Sequence, residues 1–355
     1  MKRNMIKLGD VATYINGYAF KPEDRGEVGL PIIRIQDLTG NAYDLGFYNG
    51  DYPKRIEIND GDVLISWSAS LGVYVWNRGR ALLNQHIFKV QFDKVNIDES
   101  YFVYAVRQKL AEMAMKTHGA TMKHIVKKDF EETLIPYPSL KKQIEIGTNL
   151  DKIANIIVAR KQQLELLDEL VKARFVEMFG DPVLNDKKFS TLSGEDFFKL
   201  SNGKAVPEEK RHEVGIPAYG GNGISWYTNE VLRVEDTLVV GRVGFQSGNV
   251  HYAVGPLWIT DNAMYISQYD KGKINLVFLC ELMQRVNFSR FQDAGDLKKI
   301  TQKPFMSFQY ILPSMELQQK FVDFKEQIDK SKVAIKKSLD ETQILFDSLM
   351  QKYFG

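Results

Sequence analysis

The segment that decides the fold is present twice, as IPYPSLKKQ at residues 135–143 and as YILPSMELQ at residues 310–318. Pro313 lies 175 positions after Pro138, and this spacing continues without a gap through the sequence that follows each copy. It pairs a series of apolar residues: Ile153 with Ile328, Leu164 with Leu339, Leu170 with Leu345 and Phe179 with Phe354. A constant spacing over so long a stretch indicates an internal duplication.

Weaker matches upstream occur in the same order in both copies. The matched pairs are residues 16–20 with 202–206, 62–65 with 236–239, 85–88 with 261–264, and 119–125 with 295–300. Chance could produce one of these matches, but not all of them in sequence. The duplication is therefore predicted to include a globular part as well as the segment after each proline.

Each copy ends in a predicted long helix with a narrow apolar stripe. The stripe residues are Ile146, Leu150, Ile153, Ile157, Leu164, Leu167, Val171 and Met178 in the first copy, with Arg160 and Arg174 interrupting them, and Phe321, Ile328, Ile335, Leu339, Phe346, Leu349 and Tyr353 in the second. Steps of three and four residues are typical of a coiled coil. Ser139 and Ser314 are predicted N-caps, and Gly180 a stop signal. Residues 143–178 would give roughly 50 Å of helix.

The globular parts are predicted to be mixed and rich in strands. Strand candidates are residues 31–35, 63–67, 87–92, 237–240 and 263–266, and helices are expected over 101–115 and 276–290. The predicted fold class is α+β, with two mixed α/β domains at 1–138 and 181–313. Helices at 139–180 and 314–355 would pair antiparallel around a pseudo-two-fold axis. The alternative is two ordinary amphipathic helices on separate cores.

Composition excludes several classes of protein. The 355 residues include 47 basic and 45 acidic side chains, so a nucleic-acid surface would need an uneven distribution of charge. Cys280 is the only cysteine, which excludes an internal disulfide and a cysteine-rich zinc site. The first residues lead into polar sequence, and no apolar run approaches the roughly 20 residues that cross a bilayer. We expect a cytosolic protein without a membrane association.

This arrangement resembles the DNA-specificity subunits of type I restriction–modification systems over essentially the whole chain. The resemblance lies in the alternation of domain and helix, the Pro-Ser-hydrophobic-x-x-Gln entry into each helix, the segment at residues 61–66, and the motif at residues 119–125 with its counterpart Lys298-Lys299. It departs from the family where Lys142-Gln143 and Leu317-Gln318 stand in place of Glu-Gln. That glutamate would suit a capping box.

The resemblance implies a subunit without a catalytic centre, in which each target-recognition domain recognises one half of a split double-stranded DNA target. It also implies two methyltransferase subunits docked on the helices, with restriction subunits in the full complex. Half-sites one helical turn apart present their major grooves about 34–36 Å apart, which a helical spacer can bridge. Because the two globular copies differ in almost every loop, an asymmetric target is expected.

Candidate DNA contacts are polar or basic residues beside turns, since phosphates accept from such donors and bases are distinguished by paired donors and acceptors. In the first copy they are Arg34, Gln36, Ser66, Ser68, Ser70, Asn84, Gln85, Lys116, His118, Thr121, Lys123 and His124, with Lys127 and Lys128 just beyond. In the second they are Lys210, Arg211, Tyr219, Asn222, Arg242, Gln246, Ser247, Asn249, Asn262, Lys298 and Lys299, with His212 nearby.

Motifs for chemistry are absent from the sequence. It contains no Asn/Asp-Pro-Pro-aromatic methylation motif, no ATP-binding phosphate loop and no His-Glu-x-x-His zinc site, so no cofactor or metal is expected. Methylation, translocation and cleavage would have to come from partner chains. The open alternatives are the specificity chain of a combined restriction–methylation enzyme outside type I, a coiled-coil scaffold that binds protein, and an enzyme with an unrecognised site.

Overall fold

The computed structural model describes residues 4–41, 44–116, 125–295 and 298–355. The chain divides into two compact units, which are treated separately below. The first unit comprises Met1–Lys161 with Lys337–Gly355, and the second comprises Gln162–Lys336. Each unit therefore holds one globular part and a portion of each of two long helices. Within the described residues, no helix combines the length and the apolar character needed to cross a membrane.

The first globular part contains ten strands and four helices among its described residues. The strands are β1 Met5–Lys7, β2 Thr13–Asn16, β3 Leu30–Ile33, β4 Gly46–Tyr48, β5 Glu57–Ile58, β6 Val63–Ser66, β7 Gly72–Val75, β8 Ala81–Leu83, β9 Ile87–Gln91 and β10 Leu134–Pro136. The helices are α1 Leu8–Val11, α2 Ile35–Thr39, α3 Glu99–Lys116 and α4 Lys127–Glu131, and the long helix α5 Leu140–Phe179 follows.

The second globular part contains nine strands and two helices among its described residues. The strands are β11 Thr191–Ser193, β12 Phe198–Asn202, β13 Ile216–Gly220, β14 Gly223–Thr228, β15 Thr237–Gly241, β16 Val250–Ala253, β17 Trp258–Ile259, β18 Ala263–Tyr269 and β19 Gln309–Ile311. The helices are α6 Leu276–Val286 and α7 Lys303–Ser307, and the long helix α8 Met315–Phe354 follows.

Strand order shows the duplication directly. The first unit has a four-stranded sheet β2-β9-β6-β7, a sheet β4-β3-β8-β5 and the pair β1-β10. The second has β12-β18-β15-β16, β14-β13-β17 and β11-β19. In both smaller sheets one pair is parallel, β3 with β8 and β13 with β17. The described strands match one for one in order except β5, which has no counterpart in the second unit's sheet.

A tight contact recurs at equivalent glycines. A Cβ atom on Gly17 would lie 2.0 Å from the Asn84 carbonyl oxygen, and one on Gly203 would lie 2.0 Å from the Thr260 carbonyl oxygen. These separations are far inside van der Waals contact, so both positions require glycine. The sequence match between residues 16–20 and 202–206 therefore corresponds to a shared backbone contact.

Two sequence expectations for local structure were wrong. The strand predicted over 31–35 ends at Ile33, because Ile35 begins α2, where the Asp37 carboxylate accepts from the Arg34 backbone N–H at 2.8 Å. The helix predicted over 276–290 ends at Val286. Asn287 adopts a left-handed conformation with φ 55°, which interrupts the helix before a short 3₁₀ turn.

The long helices run antiparallel within each unit. In the first unit, Ile146 and Leu150 near the start of α5 share a core with Met350 and Phe354 at the end of α8. In the second, Phe175 near the end of α5 lies 5.4 Å, ring to ring, from Phe321 near the start of α8. Every residue of the predicted stripes is buried or half-buried, although Phe175 and Phe179, both fully buried, lay outside the predicted set.

The glutamine of each repeated motif closes the junction between helix and globular part. Gln143 is buried, accepts from the Asp98 backbone N–H at 3.0 Å and donates to the Pro138 carbonyl at 2.8 Å. Gln318, also buried, accepts from the Asn275 N–H at 2.8 Å. It donates to the carbonyls of Pro313 and Lys273 at 2.9 and 3.0 Å. A buried amide that satisfies backbone groups fixes where the helix leaves its domain.

The expected helix signals are present at three positions. The Leu317 N–H donates to the Ser314 hydroxyl at 3.3 Å, so Ser314 caps α8 as predicted. Ser139 directly precedes α5, and its carbonyl accepts the first helical bonds, from Lys142 and Gln143. Gly180 follows α5 with φ +70°, the left-handed conformation that ends many helices.

Candidate nucleic-acid interface

In the first unit, three of the sequence-predicted segments meet at one end of the four-stranded sheet. The Trp67 backbone N–H, just after β6, donates to the His86 carbonyl at 3.2 Å, just before β9. The Ile125 N–H donates to the Trp67 carbonyl at 2.9 Å. Three segments are therefore adjacent: the loop that carries Ser66, Ser68 and Ser70 (the serine loop), the Asn84-Gln85 turn, and the end of the glycine motif at 119–125.

The second unit repeats this junction bond for bond. The Arg242 N–H, just after β15, donates to the Asn262 carbonyl at 2.9 Å, just before β18. The Ile300 N–H donates to the Arg242 carbonyl, also at 2.9 Å. Because the same two bonds join the same three segments, the two candidate surfaces are equivalent parts of the duplicated fold.

The serine loop of the first unit presents fewer side chains than expected. Ser66 is fully buried, and its hydroxyl donates to the Ser70 carbonyl at 2.5 Å. Ser68 is also buried, whereas Ser70 is exposed. All four residues of β6 are buried, so a hydroxyl at its end points into the protein. Of the three predicted serines, Ser70 alone presents its side chain to solvent.

Four residues of the first unit were predicted to contact bases. Two of them form hydrogen bonds within the protein, and the other two are exposed. The Arg34 guanidinium is 12% exposed, bonds the Asp37 carboxylate at 3.1 Å and donates to the Asp44 carbonyl. It would have to break these contacts to reach a base. Asn84 accepts from the Gln85 backbone N–H at 2.9 Å. Gln36 and Gln85 are exposed.

Several predicted residues of the first unit have no described position. His118, Thr121, Lys123 and His124 lie outside the described residues. Lys116 is the last residue of α3, and its side chain is likewise outside them. Lys127 donates from Nζ to the Tyr14 carbonyl at 2.9 Å, so this lysine holds the start of α4 against β2.

A cleft of about 700 Å³ in the second unit brings four predicted residues together. Its walls come from the turn between β13 and β14, the loop after β15 and the turn before β18. The four residues are Arg211, Asn222, Gln246 and Asn262. A guanidinium and three amides are the groups that form paired hydrogen bonds with base edges. The cleft therefore brings together side chains of the types that contact base edges.

Two aromatic residues of this cleft were missed by sequence reasoning. Trp226 lies under the Arg211 guanidinium, with its ring centroid 5.3 Å from Cζ, and Phe245 is 85% exposed. An arginine stacked on an aromatic ring is held in place without losing its hydrogen-bond donors. The signal for Phe245 was present in GFQSG at residues 244–248, where an aromatic residue stands in a polar, glycine-flanked loop.

The other predicted residues of the second unit serve varied roles. Lys210 pairs with Glu230 at 2.8 Å, and this hydrogen bond raises the lysine pKa. Burial raises the pKa of Tyr219. Arg242 donates from Nη1 to the Asp261 carbonyl at 3.2 Å, and the Asn249 amide donates to the Gln246 side chain. Ser247 is fully buried and therefore does not reach a ligand.

The two lysines of the second glycine motif differ in exposure. Lys298 is half-buried and Lys299 exposed. Their backbones anchor the neighbouring loops, since the Lys298 carbonyl accepts from the Gly244 N–H at 2.8 Å and that of Lys299 from the Asp293 N–H at 2.9 Å. The motif thus lies directly beside the loop that carries Phe245.

The sequence model of the type I restriction modification DNA specificity domain matches residues 2–167 and, a second time, residues 186–343. The chain belongs to this family. The two matches coincide with the two repeats, and together they cover most of the chain. The predicted resemblance is confirmed.

Curated relatives are specificity subunits of type I restriction enzymes. That of EcoprrI from Escherichia coli is 25% identical over 354 residues, covering 88% of this chain and 84% of that protein. That of EcoBI from Escherichia coli is 28% identical over 214 residues, covering 58% and 44%. That of MjaVIII from Methanocaldococcus jannaschii is 27% identical over 187 residues, covering 52% and 44%. The chain aligns with less than half the length of the latter two.

Solved structures share the fold. The S subunit of a type I restriction-modification system from M. genitalium has a TM-score of 0.69 at 16% identity, covering 100% of this chain and 96% of that one. A chain from a study of complex assembly and conformational transition in the type I R-M system has a TM-score of 0.61 at 14% identity, covering 100% and 99%. The α+β fold with two repeated domains and two long helices is thereby confirmed.

Outside the globular parts, the helices expose apolar side chains at equivalent positions. The 175-residue spacing pairs Val158 with Val333, which are 53% and 68% exposed, and Leu170 with Leu345, which are 46% and 50% exposed. The first unit holds Val158 and Leu345, and the second holds Leu170 and Val333. Each unit therefore presents one valine and one leucine of these pairs, from different helices. Other exposed apolar side chains have polar residues at the equivalent positions: Ile144, Ile156 and Ile344 in the first unit, and Leu166 and Val176 in the second.

Proposed function

We propose that this chain is the DNA-recognition subunit of a type I restriction–modification complex and has no catalytic role of its own. The duplicated junction of loop, turn and glycine motif at the end of each four-stranded sheet is the observation that carries the proposal. The first target-recognition domain would comprise residues 1–138 and the second residues 181–313. Each would recognise one half of a split double-stranded DNA sequence.

The chemistry of the two surfaces favours two different half-sites. In the second unit a guanidinium and three amides surround a cleft, whereas the first unit presents Gln36, Ser70 and Gln85 at exposed positions. Different donor and acceptor sets select different bases. An asymmetric target follows, and the cleavage and methylation chemistry would be supplied by other chains.

The helices would dock two methyltransferase subunits, with restriction subunits joining in the full complex. The exposed valines and leucines leave apolar surface on the helices available for a protein contact. The equivalent valine and leucine of each unit would form a common part of the two contacts, because two copies of one partner would meet these two side chains twice. Arg160 and Arg174 remain candidates for further partner contacts. Cytosolic location remains a prediction from the sequence.

Mapping of adenine methylation across a genome tests this function. Cells carrying the chain with its neighbouring methyltransferase would be compared with cells lacking only the chain. We expect methylation at one asymmetric split motif, lost when the chain is removed. Identical methylation in both strains, with the methyltransferase shown to be present and competent, would contradict the proposal and favour a protein-binding scaffold.

A further inference from the structure

We propose that Phe245 recognises a thymine by contact with its 5-methyl group in the major groove, at an A·T pair of the half-site bound by the second unit. This inference rests on the proposed function and assigns a specificity-determining residue within it. It makes one base pair of the target depend on one side chain.

Phe245 exposes almost its whole side chain to solvent. At 85% exposed, it is the most exposed large apolar side chain of the described residues. Burial of a phenylalanine stabilises a protein by roughly 1.5–3 kcal/mol, so the fold gains little from this residue where it stands. A single exposed apolar residue would need no explanation by itself. The loop that carries it, however, is held by several hydrogen bonds.

Hydrogen bonds fix the loop on both sides of Phe245. The Ser247 N–H donates to the Gly244 carbonyl at 3.0 Å, and the Gly244 N–H donates to the Lys298 carbonyl at 2.8 Å. The Gln292 amide reaches across to the carbonyls of Phe245 and Ser247 at 3.3 and 2.6 Å. Gly244 and Gly248 have φ of +90° and +93°, which favours glycine at both ends. The aromatic ring therefore projects from a backbone that hydrogen bonds already hold in place. Contact with a base would restrict the motion of little more than the ring itself.

The neighbours of Phe245 indicate the base pair. Asn222, Gln246 and Asn262 line the same cleft, and asparagine and glutamine amides match the N6 and N7 edge of adenine in the major groove. The thymine paired with that adenine displays its methyl group in the same groove, where an apolar side chain can contact it. An amide beside a phenyl ring therefore matches the A·T pair, which offers both the adenine edge and the thymine methyl group in the major groove.

The first unit lacks this feature in the equivalent loop. Between β6 and β7 the tip carries Ser68-Ala69-Ser70, with small side chains, where the second unit carries Phe245. The thymine contact is therefore expected in one half-site only.

The test uses the complex of the full chain with its methyltransferase and the target found by methylation mapping. Each thymine of the second half-site is replaced in turn by uracil, which lacks the methyl group, and Kd is measured for the wild type, Phe245→Ala and Phe245→Leu. Leu184→Ala, at another exposed apolar position of the second unit, is the matched control. An unchanged melting temperature shows that each variant folds.

One uracil is expected to weaken wild-type binding roughly three- to tenfold. Phe245→Ala should weaken binding to the thymine target by a similar factor, and the same uracil should then cause no further loss. Phe245→Leu should still bind thymine more tightly than uracil, but by a smaller factor than the wild type. The inference would be overturned if uracil weakened binding equally in the wild type and in Phe245→Ala, or if Phe245→Ala bound the thymine target as tightly as the wild type. A second half-site that contains no A·T pair would also overturn it. Failure of the wild-type complex to prefer any target over random DNA would instead overturn the proposed function.

Discussion

The loops after β6 and β15 occupy the same place in the two units but differ in chemistry. Both loops receive a hydrogen bond from the isoleucine that ends the glycine motif, Ile125 in one unit and Ile300 in the other. The first loop turns its Ser66 hydroxyl inward and exposes Ser70, whereas the second projects Phe245 beside a cleft. The backbone arrangement shared by the two units therefore does not depend on the side chains that these loops expose. Recognition can change through those side chains without a change of fold.

The junctions between helices and globular parts differ in the same way. In the second unit, Phe175, Phe179, Phe278 and Phe321 pack ring against ring. In the first unit, Ile146 occupies the position equivalent to Phe321, and Asp151 accepts hydrogen bonds from Ser100 and Tyr104 at 2.7 and 2.8 Å. One junction depends on aromatic packing and the other partly on polar contacts, which can be separated by substitution.

Phe321→Ala should give the largest effect. It empties a fully buried position in the aromatic cluster, and we expect a loss of about 3–5 kcal/mol in the free energy of unfolding of the second unit. Ile146→Ala, at the equivalent position of the first unit, is the matched variant and should cost less because its side chain is smaller. Hydrogen exchange followed separately in each unit measures both. Equal losses would show that the two junctions are energetically alike.

Gln318→Leu should cause the second-largest loss in the free energy of unfolding. It leaves the Asn275 N–H and the carbonyls of Pro313 and Lys273 without their partner, at a cost of about 2–3 kcal/mol. Gln143→Leu removes two hydrogen bonds rather than three and should cost less. Gln318→Glu keeps the acceptor oxygen but sets a buried carboxylate against the Pro313 and Lys273 carbonyls, so it should be no more stable than the leucine variant in urea denaturation at pH 7. A leucine variant as stable as the wild type would remove the glutamine from the junction.

The double variant Lys298→Ala, Lys299→Ala should weaken DNA binding by the complex roughly tenfold at low salt and reduce the salt dependence of log Kd by about two, because two phosphate contacts are lost. The loss should be similar for all DNA sequences. Lys271→Ala, beyond the opposite end of β18, is the control. An unchanged salt dependence would exclude these lysines from the interface.

The smallest effect on stability is expected from removing the ion pair between Glu57 and Arg80, which only the first unit has among the described residues. Glu57 on β5 accepts from Arg80 at 2.6 Å and from the Tyr52 hydroxyl at 2.7 Å, and the bond from Arg80 is the main reason that its pKa is lowered to about 2. A lowered carboxyl pKa stabilises the folded state above the unfolded pKa of about 4.5, and the contribution disappears as pH falls toward 2.

Glu57→Gln should therefore lower the melting temperature of the first unit by a few degrees at most at pH 7, with the difference closing between about pH 4.5 and pH 2. Thermal denaturation of both proteins across this range measures it. Glu27→Gln, at an exposed position of the same unit, is the control for removing a carboxylate. A difference that persists at pH 2 would assign the stabilisation to something other than the ionised carboxylate.

The duplication and the helices were predictable because they depend on spacing, and the 175-residue repeat determines both. The fate of Ser66 was not predictable, because a serine that ends the strand sequence Val-Leu-Ile looks the same whether one or both faces of that strand are buried. Phe245 was missed because apolar residues are normally assigned to the core. The cleft around Arg211 requires turns that are far apart in sequence, so its composition emerges only when the chain is folded.

Exchange of one recognition domain tests the central claim most directly. Residues 1–138 are replaced by the equivalent domain of a relative, the reciprocal chimera replaces residues 181–313, and the adenine methylation motif is determined for each with the methyltransferase present. We predict that each exchange changes one half of the motif and leaves the other half intact. A motif in which both halves change in either chimera would contradict the assignment of one half-site to each unit.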